Sequence, residues 1–176
     1  MREARGCHLS LDDRVPLPAL ALSFALRPAA SEDREFLFEL FARTMRGVVE
    51  QTWGWNDGWQ RAEFARRFRS YTVSVVESDA RPVGGLFTEH GPEAIFIHEI
   101  QILPEWQGRG IGTAIVRAVI EQATARGVPV ELSVVPANDR AQRLYERLGF
   151  EVFAIESPFI RMRRRPSIPE DLGRRG

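Results

Sequence analysis

Apolar side chains recur along this chain with two different periods. In "SEDREFLFELFARTMRGVVE" the apolar positions Phe36, Leu37, Leu40, Phe41 and Val48 return every three or four residues, the spacing of one helix face. Ser31 is placed to cap that helix, with Glu32 and Asp33 in its first turn, where the helix dipole favours acids. "WGWNDGW" interrupts it, and Asn56 or Asp57 opens a second helix with Phe64 and Phe68 four apart. β-branched and aromatic runs then predict strands at "YTVSVVES", "RPVGGLFTEH" and "EAIFIHEIQIL", with a turn at "SDARP". An earlier short strand fits "LSFALRPA".

Beyond Pro104 a third helix is predicted to about Ala125, with Ile111, Ile115, Ala118 and Val119 on one face. Arg126-Gly127 ends it. "VPVELSVV" reads as a strand, "NDRAQRLYERLG" as a helix closed by Gly149, and "FEVFAIE" and "PFIRMRRR" as closing strands. The predicted order is β α α β β β α β α β β. It implies an α/β or α+β single domain, with a mixed sheet covered by helices on both faces. No repeat or linker divides it. Residues 1–20 and 166–176 mix charges and prolines without a period and read as flexible tails around a domain at 21–165.

Composition narrows the function. The 176 residues are 44% hydrophobic and 27% charged with zero formal net charge, which argues against general nucleic-acid binding by charge. Cys7 is the single cysteine, and His8, His90 and His98 are scattered, so no metal cluster is expected. No apolar run approaches the roughly 20 residues of a membrane span. "VPLPALALSFAL" is split by Pro16 and Pro18 and reads as a leader before the first strand, with a secretory signal as the alternative. A cytoplasmic protein without a membrane partner is the default expectation.

"LPEWQGRGIGTAIV" carries the chemistry. Gly108, Gly110 and Gly112 occupy alternate positions between a strand and a helix. A helix start leaves backbone N–H groups unpaired and forms an anion site, and glycines let a ligand approach closely. A phosphate or pyrophosphate on Gln107 to Thr113 is the expected ligand, with Arg109 adding charge. The stretch lacks the lysine of a P-loop, and Thr113 stands where a dinucleotide fingerprint needs its third glycine. A tight turn that binds nothing is the competing account.

Gln107-Gly108-Arg109-Gly110-Ile111-Gly112 resembles the acyl-CoA loop of the GNAT superfamily N-acetyltransferases, Q/R-x-x-G-x-G/A. "NDRAQRLYERLGF" is similar to that family's last motif, and a helix and a strand separate the two, as in the family. The likeness covers roughly residues 22–165, and "VEQTWGWND" resembles an uncharacterised branch. It implies a central mixed, mostly antiparallel sheet flanked by helices. Acetyl-CoA, the implied donor, would lie between two strands that splay apart. The pantetheine arm would pair with backbone at Gln101, Ile102 and Leu103, adding a strand at an open edge. The pyrophosphate would take N–H groups of Gly108, Arg109, Gly110, Ile111, Gly112 and Thr113. Asn138, Arg140 and Ala141 would lie beside the cofactor arm.

The implied chemistry is attack of a neutral amine on a thioester, which needs a proton acceptor. Tyr145 matches the tyrosine that serves the family as donor to the leaving sulfur; its bland alternative is a core aromatic. Some relatives carry a glutamate where this chain has Ser133. The remaining candidates for the base are Glu99 and His98, with Glu99 preferred. They are adjacent, so an ideal strand points them to opposite faces unless a bulge intervenes. For the acceptor, Trp53, Trp55 and Trp59 with Glu50 suggest an aromatic wall and a carboxylate suited to a cationic amine, on a small molecule or a protein. A homodimer is entertained. A catalytically silent acyl-CoA sensor is the alternative function. A nucleic-acid role for "RMRRR" is the least supported, because a basic strand usually marks a solvated edge.

Overall fold

A computed structural model describes residues 15–16 and 24–166. In chain order the elements are β1 (Val15–Pro16), β2 (Phe24–Pro28), α1 (Asp33–Trp53), α2 (Asp57–Ser70), β3 (Thr72–Ser78), β4 (Arg81–His90), β5 (Ile95–Ile102), α3 (Ile111–Ala125), β6 (Val130–Val134), α4 (Asp139–Arg147), β7 (Glu151–Glu156) and β8 (Phe159–Arg164). The strands form one sheet in the order β1-β2-β3-β4-β5-β6-β8-β7. Only β5 and β6 run parallel; every other pairing is antiparallel. This is the mixed, mostly antiparallel α/β domain that the sequence implied. The short β1 lies within the stretch expected to be a tail, with Val15 opposite Leu26 and Pro16 opposite Ala25. Residues 1–14, 17–23 and 167–176 lie outside the described residues.

The two-residue period of the strands divides the core. Val75 and Phe87 face α1 and α2, packing with Leu37, Phe38, Phe41 and Phe64. Their chain neighbours Val76 and Leu86 face the other way, onto Ile111, Ile115 and Val119 of α3. Helices therefore cover both faces. Asn56 caps α2 as expected, its Oδ1 accepting the Trp59 N–H at 2.9 Å. The cap expected of Ser31 is not made. Glu32 occupies the N-cap position without a side-chain bond. Asp33, held at 2.6 Å by Arg27, accepts the Ala30 N–H at 2.8 Å instead. The strong partner decides which side chain serves the turn.

The basic strand is also corrected. β8 is not an edge; it lies between β6 and β7. Arg161 and Arg163 both pair with Glu131, at 3.2 and 2.7 Å, and both guanidinium groups sit over the Phe153 ring. They join strands rather than present charge.

Two features of β5 shape the site. Phe87 stands opposite Glu99 but Thr88 opposite Ile97, so His98 is an extra residue in β5. The Ile95 N–H bonds Pro129 C=O beside β6 at 3.0 Å, whereas the Leu103 N–H bonds Val83 C=O on the β4 side at 2.9 Å. Two residues an even number apart on a regular strand turn the same way; the bulge reverses them. Secondly, β5 meets β6 only from Ile95 to Ile97, against Val130 to Leu132. Both strands run on, to Ile102 and Val134, and part as they go.

Candidate active site

A cleft of about 880 Å³ opens where β5 and β6 part, within the size range of small-molecule sites. Its inner half is walled by Gln101, Ser133, Val134, Asn138, Ala141 and Tyr145. Its outer half lies under α1 and α2, and His98 and Glu99 stand between the halves. Of the residues expected at the site, the cleft brings together Glu99, Gln101, Asn138, Ala141, Tyr145, Trp53 and Trp59.

Alternation would have put only one of His98 and Glu99 on the cleft; the bulge puts both there. Glu99 is ion-paired with Arg67 of α2 and accepts from the Gln101 side chain at 3.3 Å. His98 stacks on Tyr71 with ring centroids 3.8 Å apart, and its Nε2 lies 3.0 Å from Oε2 of Glu89. Burial pushes the His98 pKa below its ordinary value; Glu89 opposes the shift and Arg67 adds to it. The imidazole is therefore neutral at pH 7. With Nε2–H assigned as donor to Glu89, Nδ1 carries the lone pair. Tyr145 reaches the cleft from α4 and packs on Phe150 at 5.6 Å. Burial pushes its phenol up to about 12, so it keeps its proton and can donate.

Asn138 caps α4, its Oδ1 accepting the Ala141 N–H at 3.1 Å. The same residue that lines the cleft thus fixes the helix that carries Tyr145.

The glycine turn lies beside the cleft rather than in its lining. Gly108 and Gly110 have φ of 77° and 82°, left-handed values that favour glycine. Gly112 differs: it sits within α3, and a Cβ there would meet Leu144 Cδ2 at an ordinary 3.8 Å. The first bond of α3 runs from the Ala114 N–H to Gly110 C=O at 3.0 Å. Ile111, Gly112 and Thr113 consequently have N–H groups without a partner inside the helix. Arg109 lies over the Trp106 ring at 4.6 Å. Arg140 instead approaches the turn, 3.4 Å from the Gln107 side chain and near Gly108. Free helix N–H groups, left-handed glycines and one guanidinium fit a pyrophosphate.

The backbone expectation on β5 is shifted by one residue. Leu103 bonds to β4, and with it, by alternation, Gln101. Ile100 and Ile102 turn towards the gap, and the Ile102 C=O already accepts Gln107 Nε2 at 2.9 Å. The bulge causes this shift, and no sequence signal announces it.

The expected acidic aromatic wall does not assemble. Glu50 is exposed and outside the cleft lining. Trp55 stacks on Phe41 at 5.9 Å with Arg46 over its ring. Of the four, Trp53 and Trp59 reach the cleft, beside two residues the sequence did not single out, Phe159 and Arg67. Arg67 lies in the arginine-rich run "ARRFRS", where nothing marks which arginine turns inward. Among the described residues no group of three or more His, Cys, Asp or Glu could hold a metal ion. No described helix is long and apolar enough to cross a membrane.

A splayed parallel pair with an anion-binding helix start beside it defines an acyltransferase type of fold. Residues 34–150 match the model of the Acetyltransferase (GNAT) family, and the chain belongs to that family. It is similar to an uncharacterised N-acetyltransferase of Methanocaldococcus jannaschii, 29% identical over 161 residues that cover 83% of this chain and 69% of that protein. It is also similar to the L-2,4-diaminobutyric acid acetyltransferase of Nocardia farcinica, 32% identical over 79 residues, 43% of this chain and 40% of that one. The PaiA N-acetyltransferase of Thermoplasma acidophilum, solved with coenzyme A, has the same fold, with a TM-score of 0.67 and 15% identity over 81% of this chain and 99% of that one.

Proposed function

We propose that the protein transfers the acetyl group of acetyl-CoA to a primary amine, by direct attack in a complex that holds both substrates. The observation that carries this reading is the cleft itself. One continuous space joins the gap between β5 and β6 to a second compartment under α1 and α2, so donor and acceptor can be held together. The N-acetyltransferase relatives and the coenzyme A in the Thermoplasma structure support the donor and the reaction type. The amine-bearing acceptor in the Nocardia relative's name supports a primary amine.

The residues present divide the work. Acetyl-CoA supplies an activated thioester. The N–H groups of Gly108 to Thr113, with Arg140, would hold its pyrophosphate, and the free edge of β5 and Asn138 its arm. An amine is mostly protonated at neutral pH, so the chain must accept a proton before attack. Glu99 is engaged by Arg67, whereas His98 is neutral, lines the cleft and, with Nε2–H given to Glu89, carries its lone pair on Nδ1. His98 is therefore the base, and Glu89 orients it. Tyr145 holds its proton and donates a hydrogen bond to the departing sulfur. Net release of one proton per turnover balances an ammonium acceptor, an amide product and a free thiol.

Calorimetric titration with acetyl-CoA, followed by thiol release with amines, tests the reading. Binding and amine-dependent release are expected. Failure to bind acetyl-CoA would overturn it. Binding without release from any amine would leave an acyl-CoA sensor.

A further inference from the structure

The outer compartment has two unlike walls. On α1 the lining residues Phe41, Met45, Val49 and Trp53 recur every four residues, which places them in one row along a helix. Twelve residues separate the ends of that row, roughly 18 Å at 1.5 Å per residue. Trp59 and Phe159 extend the apolar surface to the mouth. Trp53 and Trp59 are 59% and 62% exposed, and Trp53 lies 6.2 Å from Phe159, ring to ring. Large exposed aromatics gathered at the mouth of a cleft are surface waiting to be covered.

On α2 the lining residues Gln60, Glu63 and Arg67 are polar, and both charged groups are ion-paired, with Arg67 Nε alone buried without a hydrogen-bond partner. Glu63 pairs with Arg66 at 2.5 Å and lies 4.0 Å from Arg67. Arg67 pairs in turn with Glu99. An acceptor with a second ammonium group would find no unmatched carboxylate in the compartment, since Glu50 lies outside it. An acceptor with a carboxylate would have to take Arg67 from Glu99. Burying an unmatched charge is costly; burying an aromatic body against that row is favourable.

We infer that the acceptor is a primary monoamine carried on an uncharged aromatic body, an arylalkylamine, lying along the α1 row with its nitrogen towards His98. This rests on the transferase reading above and names the substrate class for the same site. Neutral surroundings also favour the deprotonated amine that the reaction needs. The same chemistry could come from a free amine or from the N-terminus of a peptide that begins with an aromatic residue. A peptide would bring backbone amides against an apolar row that offers them no partner, which favours the free amine.

The test compares kcat/KM from thiol release for 2-phenylethylamine, hexylamine, spermidine, phenylalanine, and a peptide amide beginning with phenylalanine, with acetyl-CoA binding measured in parallel. The expected result is 2-phenylethylamine ahead of spermidine and phenylalanine by at least tenfold, and ahead of hexylamine and the peptide. Trp53→Ala and Phe159→Ala, both at exposed positions that the fold tolerates, should raise its KM at least fivefold and leave acetyl-CoA affinity unchanged. A preference for spermidine or phenylalanine would overturn the inference and leave the transferase reading standing. Preference for the peptide, equal use of hexylamine, an unchanged KM in both variants, or binding with no transfer to any of the five would also overturn it. Loss of acetyl-CoA binding altogether would overturn the transferase reading instead.

Discussion

Nε2 of His98 lies 3.0 Å from Oε2 of Glu89, across two strands whose register breaks at His98 itself. The contact holds the imidazole in one tautomer, with its lone pair on Nδ1. A base works only when unprotonated, so kcat/KM should fall on the acid side as His98 takes a proton. Burial lowers its pKa, and the limb should lie below the ordinary histidine value of about 6.5. Glu89→Gln removes the group that opposes the shift, so the limb should move further to the acid side. Rates from pH 5 to 9 check this. His98→Gln should abolish the limb and cost about a hundredfold in kcat; Glu99→Gln should retain it.

Tyr145→Phe removes one hydroxyl from a residue otherwise packed on Phe150. In the proposed role the phenol, held near pKa 12 by burial, would donate to the leaving sulfur and contribute little to holding the donor. A fall in kcat of about 100- to 1000-fold is expected, the size of one lost transition-state donor, with acetyl-CoA affinity unchanged by calorimetry. Equal kcat in the variant would make Tyr145 a packing residue.

The three glycines of the turn should respond differently. Gly110, at φ 82°, would pay about 1–2 kcal/mol of backbone strain with any branched side chain. Gly110→Val should lower Tm and weaken acetyl-CoA binding at least tenfold. Gly112→Ala, in ordinary helix, should raise stability by about 0.5–1 kcal/mol. Thermal melts and titrations of both variants separate backbone geometry from ligand approach.

Asp33 ties the entry of α1 to β2. The hydrogen bond from Arg27 is the main cause of its lowered pKa, with the Ala30 N–H adding to it. The stabilisation is complete above the unfolded carboxyl pKa of about 3.9 and is lost as the pH falls through the lower folded value. Asp33→Asn weakens one of the two ion pairs of Arg27, which keeps Glu77 at 2.6 Å, and should cost about 1–2 kcal/mol at pH 7. Urea melts at pH 7 and pH 2.5 should show the wild type and the variant converging in acid.

Much of the fold was legible because periodicity speaks directly of faces. Phe36 to Phe41 follow a helix face, and the strand runs fall where the ladders form. Local chemistry at Asn56, Gly108 and Gly110 was legible too, since capping and left-handed backbone depend on nearby residues. What was not legible came from partners distant in sequence. Ser31 lost the cap to Asp33 because Arg27 reaches across from β2. Arg67 is indistinguishable in sequence from Arg66, yet only Arg67 meets Glu99. Trp55 has the composition of a substrate wall and is occupied by Phe41 and Arg46. β8 reads as an edge until β7 is found outside it.

The single extra residue in β5 acts as a frame shift written in side chains. Upstream of it, Ile95 and Ile97 fill the core; downstream, Ile100 and Ile102 do, and Glu99 and Gln101 are delivered to the cleft. Deleting His98 would leave a regular strand in which Ile95, Ile97, Ile100 and Ile102 still alternate onto the core and Glu99 and Gln101 onto the cleft, so the extra residue adds a side chain to the cleft without exchanging the two faces. The core is therefore indifferent to the presence of His98, and the cleft alone depends on it.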